Sequence, residues 1–82
     1  MDLGKTFDRL IKLIGGLTVT SELCGIREYG VWRWRNEGIP PKHWGKIVKS
    51  TSGAINYDEL ETFKAAATRA MAAKAKEKEK PA

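Results

Sequence analysis

The segment Leu17–Asn36 (LTVTSELCGIREYGVWRWRN) constrains this chain more than any other. It reads as two short helices separated by Gly25, a residue that takes φ > 0 at little steric cost and so permits a sharp helix-to-helix turn. The first helix covers about residues 18–24, with Leu17, Thr20 and Cys24 facing inward, Leu23 beside them, and Thr18 as its N-cap. The second runs from about Arg27 to Arg35. Asn36-Glu37-Gly38 closes it, and Ile39-Pro40-Pro41 confirms the stop, because proline cannot continue a helix.

The flanking sequence supplies partners for this pair. Residues 5–14 place Phe7, Leu10, Ile11 and Ile14 on one helical stripe, with Asp8, Arg9 and Lys12 outside it, and Gly15-Gly16 ends the run. Pro41 suits the first turn of a fourth helix over 41–50, with Trp44, Ile47 and Val48 inward and Lys42, Lys46 and Lys49 outward. Trp34 and Trp44 read as core, linked across the Gly38–Pro41 corner. Residues 50–56 form a polar turn that ends in Asn56, the cap of a fifth helix whose early Asp58 and Glu59 suit the positive helix start. Leu60, Phe63, Ala67 and Met71 share a face of that helix; it either covers this domain's own core or meets a second copy. There is no strand pattern and no internal repeat. The expected fold is all-α, a compact bundle of about five helices over residues 1–73, followed by a charged tail at 74–82 that reads as fraying helix or disordered extension.

At 82 residues the chain is one small domain. A single cysteine, Cys24, rules out an intrachain disulfide and a cysteine-rich zinc site, and reads as a small buried side chain in a reducing compartment. Charged residues interrupt the N-terminal apolar run, which has no signal-peptide layout, so no membrane association and a cytoplasmic location are expected. The net charge of +5 is unevenly spread. Residues 27–49 carry six basic side chains against Glu28 and Glu37, whereas residues 54–63 carry Asp58, Glu59 and Glu61 with no base. The basic surplus sits on the half that holds the helix–turn–helix pattern, which favours nucleic acid as the partner.

At about 100° per residue, Gly30, Val31 and Trp34 fall on one side of the 27–36 helix and Tyr29, Trp32, Arg33 and Asn36 on the other. The first set closes a core, with Gly30 admitting a neighbouring helix. The second offers what a major groove reads: guanidinium for guanine, carboxamide for adenine, aromatic rings for thymine methyls or sugars. Three roles are open to Trp32: a DNA contact, a dimer contact, or a core residue. Arg33 is a base reader or phosphate clamp, with a plain solvated charge as the bland reading. Glu28 suits the helix dipole first and a cytosine amino group second. Arg27 stands where a capping Ser or Thr is usual and points to a phosphate contact and a weakly capped helix start. His43 stands alone as a surface histidine.

The run Gly15-Gly16 … Gly25-Ile26 … Val31-x-x-Trp34-Arg35-x-x-Gly38-Ile39-Pro40 … Trp44 resembles the small Cro-like helix-turn-helix regulators of phages and prophages over about residues 6–50. The resemblance implies a lambda-repressor-like fold and sequence-specific binding of duplex DNA, usually as a dimer on paired half-sites. Position by position it puts the reading role on Arg27, Glu28, Tyr29, Trp32, Arg33 and Asn36, the face that helical spacing also selects. The chain departs from the pattern at Ser21, where alanine is commoner, at Arg27, which replaces a small polar cap, and in the bulk of Tyr29 and Trp32.

The expected function is a transcription regulator that binds an operator as a homodimer, with Arg35, Lys42, Lys46 and Lys49 on phosphates. A module that engages a host protein through Tyr29, Trp32 and Arg33 is the alternative, since aromatic and arginine anchors also dominate protein interfaces. No Ser/His/Asp group, metal spacing or phosphate loop points to an enzyme, a metal, a cofactor or a small-molecule substrate, and no RNA-fold signature accompanies the tryptophans.

Overall fold

Five α-helices follow in the expected order: α1 (Leu3–Ile14), α2 (Leu17–Cys24), α3 (Glu28–Glu37), α4 (Trp44–Ser50) and α5 (Tyr57–Glu79), with a 3-10 turn at Pro41–His43 before α4. The structure is a computed structural model that describes residues 1–79, with side chains described over residues 1–74. Among the described residues there is no strand, and no helix is long and apolar enough to cross a membrane. Of the expected tail, 74–79 continues α5, and 80–82 lies outside the described residues.

Local chemistry explains most boundaries. Asp2 caps α1 by accepting from the Lys5 amide at 3.0 Å, a bond that, first among its causes, holds the Asp2 carboxyl below its ordinary pKa. Gly15 and Gly16, both at positive φ, return their amides to the Ile11 carbonyl and end the helix. α2 closes in a Schellman pattern: Gly25 is left-handed (φ 68°, ψ 33°), its amide donates to Glu22 and the Ile26 amide to Ser21. Asn56 and Glu59 form a capping box at the start of α5. The Glu59 amide donates to Asn56 Oδ1 at 2.8 Å, and the Asn56 amide donates back to Glu59 Oε2 at 3.4 Å.

The core is drawn from every helix and from two connections. Leu10, Val31, Ile39, Ile47, Ile55, Leu60, Phe63 and Ala67 have no exposed surface, and Phe7, Ile11, Cys24 and Trp34 are buried with them. Each large side chain of this set contributes roughly 1.5–3 kcal/mol of burial. Polar groups on the inner face of α2 are satisfied within the helix: Thr20 donates to the Gly16 carbonyl and Ser21 to that of Thr18. Trp44 is half-buried and donates its indole N–H to the Ile39 carbonyl at 2.8 Å, which ties the Gly38–Pro41 corner to α4.

Several expectations change in the structure. Thr18 does not cap α2; the helix starts at Leu17 with Gly16 as N-cap, and the Thr18 hydroxyl points to α3 instead. The helix expected over 41–50 opens as a 3-10 turn, and His43, at its end, is buried rather than a surface residue. Its ring packs on Trp34 with centroids 5.5 Å apart. Of the two readings left open for the α5 face, Leu60 and Phe63 follow the first and lie wholly inside their own domain, while Met71, placed on the same face, is 48% exposed. Gly30 admits no neighbouring helix: a Cβ there would meet only the Ile26 side chain, at 3.4 Å.

Candidate nucleic-acid interface

α3 is held from one side and open on the other. Val31 and Trp34 fix it to the core, and it packs on α1, α2 and α5. Its C-terminal end is anchored by α5, where Lys64 donates to the Glu37 carbonyl at 3.1 Å and places a cation at the negative end of the helix dipole. Gly38 is needed there because its φ is +80° and a Cβ would lie 2.8 Å from the Lys64 backbone.

The outward face carries the residues that the helical spacing selects. Tyr29 is 73% exposed, Trp32 is 46% exposed, and Arg33 and Asn36 are exposed beside them. Arg27 is the N-cap, extended and exposed, and makes no side-chain capping bond. Glu28, in the first turn, is also exposed; it accepts from the Thr18 hydroxyl at 2.6 Å, which joins the starts of α2 and α3. Arg33 pairs with Glu37 one turn on, at 2.7 Å. A surface pair at this spacing is worth only about 0.3–0.5 kcal/mol, so a better anion can displace it.

Trp32 is neither free nor core. Its ring meets Phe7 of α1 edge-on (centroids 5.9 Å apart, planes at 86°), and the Arg35 guanidinium carbon stands 5.3 Å from its centroid. Arg35 therefore leans toward the first turn of α1 rather than straight outward, although it stays exposed.

The lysines belong to a second group. Lys42, Lys46 and Lys49 are all exposed, but α4 packs mainly on α2 and α5. Lys46 stands close enough to Cys24 to oppose the rise that burial imposes on its thiol pKa. Lys42 and Lys46 both add to the lowering that burial imposes on His43. These two lysines thus flank the end of α2 and the 3-10 turn, while Arg33, Tyr29 and Asn36 occupy the face of α3. The structure makes no direct link between the groups.

Thr18, Gly4 and Glu37 are additions to the expected set. Glu37 was legible as the i,i+4 partner of Arg33. Thr18 and Gly4 act across helices, through Glu28 and Arg35, and no spacing within one element signals such a contact. Among the described residues no three His, Cys, Asp or Glu side chains group as a metal site would need. Compared with protein-family models, with curated proteins and with solved structures, the chain matches none.

Proposed function

We propose that this protein is a sequence-specific duplex-DNA-binding transcription regulator of the Cro-like, phage or prophage type, with α2, the Gly25 turn and α3 as its helix-turn-helix. One observation carries the reading: the core closes on Val31 and Trp34, yet α3 turns Tyr29, Arg33 and Asn36 to solvent on a single face. Packing gives no reason for that combination, and a major groove does. Arg33 leaves Glu37 for guanine O6/N7, Asn36 offers its carboxamide to adenine, and Glu28, oriented by Thr18, accepts from a cytosine amino group. Arg27, Arg35, Lys42, Lys46 and Lys49 supply the phosphate contacts that set register and most of the affinity. Binding is non-covalent, without cofactor or enzymatic step. A domain of this size gains useful affinity by binding as a homodimer on paired half-sites in the cytoplasm.

Selection from a random duplex pool tests this. The wild type should enrich one motif, a palindrome if the protein is a dimer, and Arg33→Ala should relax preference at one base position per half-site at a cost of about 1–3 kcal/mol. Affinity should fall steeply with salt, by a slope of about −0.9 for each phosphate contacted. Failure to enrich any motif would sink the proposal. A partner captured in a salt-insensitive way and lost in Trp32→Ala would point instead to a host protein held by Tyr29, Trp32 and Arg33.

A further inference from the structure

We infer that Trp32 is a positioning residue: its indole is the platform that holds Arg35 as a preset phosphate clamp at the α1 edge of the α3 face, with Gly4 providing the room. The inference rests on the DNA-binding reading above and changes the part that Trp32 plays in it, from base contact to support.

Three contacts carry it. The indole lies edge-to-face with Phe7, itself buried, so the ring is braced from below by the core. Arg35, three residues on and hence adjacent on the helix surface, sits over that ring at 5.3 Å, the cation–π arrangement that tryptophan supports best. On its other side the guanidinium rests directly against Gly4. A Cβ at that position would lie 2.5 Å from Nη2, 3.1 Å from Nε and 3.2 Å from Cζ. A glycine in the first turn of α1 thus leaves the space that the guanidinium fills. Among the described residues no carboxylate lies within ion-pair distance of Arg35, in contrast to Arg9 and Arg33, each of which has a glutamate; the Asp2 carboxyl is near enough only to feel its charge.

An exposed arginine normally loses much rotamer freedom when it grips an anion. Arg35, though exposed, already touches both the indole and the Gly4 backbone, so part of that freedom is given up in advance, and its donors keep the planar fork that suits a phosphate. Conversely, Trp32 would have to abandon both Phe7 and Arg35 to enter a groove. The arrangement favours a fixed charge over a mobile aromatic.

The test is a set of double-mutant cycles on the full chain, with the duplex recovered by selection. Arg35→Ala should weaken binding about three- to tenfold and lower the salt slope by about one. Trp32→Leu should cost a similar factor and add nothing once Arg35 is gone. Gly4→Ala deletes no contact but drives a methyl into the guanidinium; it should reproduce part of the loss and be silent in the Arg35→Ala background. Additive losses for Trp32→Leu and Arg35→Ala overturn the inference, because a base-reading indole acts on its own account. Wild-type binding by Gly4→Ala also overturns it. In the free protein the Arg35 side-chain protons should be shifted upfield by the indole current, and that shift should collapse in Trp32→Leu and shrink in Gly4→Ala. Its absence in the wild type defeats the clamp whether or not DNA binds. If the shift is present but no duplex binds, the DNA-binding reading falls and takes the clamp's role with it.

Discussion

At the scale of single residues, His43 departs furthest from what its neighbours in the chain suggest. It is 6% exposed, its Nδ1 is buried without a hydrogen-bond partner, and its ring packs on Trp34. Burial pushes its pKa below the ordinary 6.5, and the positive charges of Lys42 and Lys46 push the same way. The consequence for stability has a definite sign. Between the depressed folded value and 6.5 the unfolded chain binds more protons at this site than the folded one, so stability rises with pH across that window and is lost as the solution is acidified through it. The thermal midpoint should therefore fall as the pH is taken from about 7.5 to about 5.5. His43→Phe keeps a ring against Trp34 and removes both the orphaned nitrogen and the titration; its midpoint should change much less over the same range. Because the chain has a single histidine, no other imidazole can mimic the effect. An equal slope in both proteins would assign the pH dependence to the carboxylates instead.

At the scale of elements, the start of α3 is where the proposed function and stability would pull apart. Its N-cap is Arg27, whose extended backbone (φ −74°, ψ 154°) is the conformation a capping side chain uses, yet no cap bond is made. Arg27→Ser should therefore stabilise the fold by about 0.5–1 kcal/mol in urea unfolding, while weakening duplex binding through loss of a phosphate contact. The two glycines of the element should diverge. Gly30→Ala meets only ordinary contact with Ile26 and should stabilise α3 by about 0.5–1 kcal/mol, whereas Gly38→Ala combines positive φ with a clash against the Lys64 backbone and should cost more than about 2 kcal/mol. Much of this architecture was legible in the sequence because helical periodicity and glycine or proline punctuation report on neighbours along one chain segment. The stripe Phe7-Leu10-Ile11, the Gly25 turn, the Asn56 cap and the outward face of α3 are all of that kind. Ile39 and Ile55 were not legible as core, because each is a lone apolar residue in a connection and no period marks it. His43 lies four residues before the buried Ile47, so helical spacing alone would have allowed it a place beside the core, but a lone histidine among lysines reads as surface. Trp32 follows its period in direction, but an indole is long enough to reach the next helix, and reach is not encoded in spacing.

At the scale of the whole molecule, burial is shared by every helix while charge is unevenly spread along the chain. Residues 27–49 hold a local basic surplus, while Asp58, Glu59 and Glu61 open α5 with no base among residues 54–63, and Glu59 pairs with Arg9 of α1 at 2.9 Å. On the proposed DNA-binding reading, a duplex on the α3 face would meet this basic surplus rather than the acidic start of α5. Past that acidic start, α5 outlasts the core it helps to build. Among the described side chains of α5, Ala67 is the last that is fully buried and Ala70 the last half-buried, and those from Met71 to Lys74 are exposed. The described side chains from Met71 to Lys74 therefore add little burial to the fold. Beyond them the sequence alternates Lys with Glu over 76–79, a pattern that cancels much of the field it would present to phosphates. A chain ending at Ala73 should accordingly melt within about 2 °C of the full one and bind the selected duplex with a salt slope unchanged to within about half a unit. Calorimetry and a salt titration decide this together. A lower midpoint would show that the end of α5 is covered in the working assembly, as in a dimer, and a slope reduced by one or more would place its lysines on the phosphate backbone.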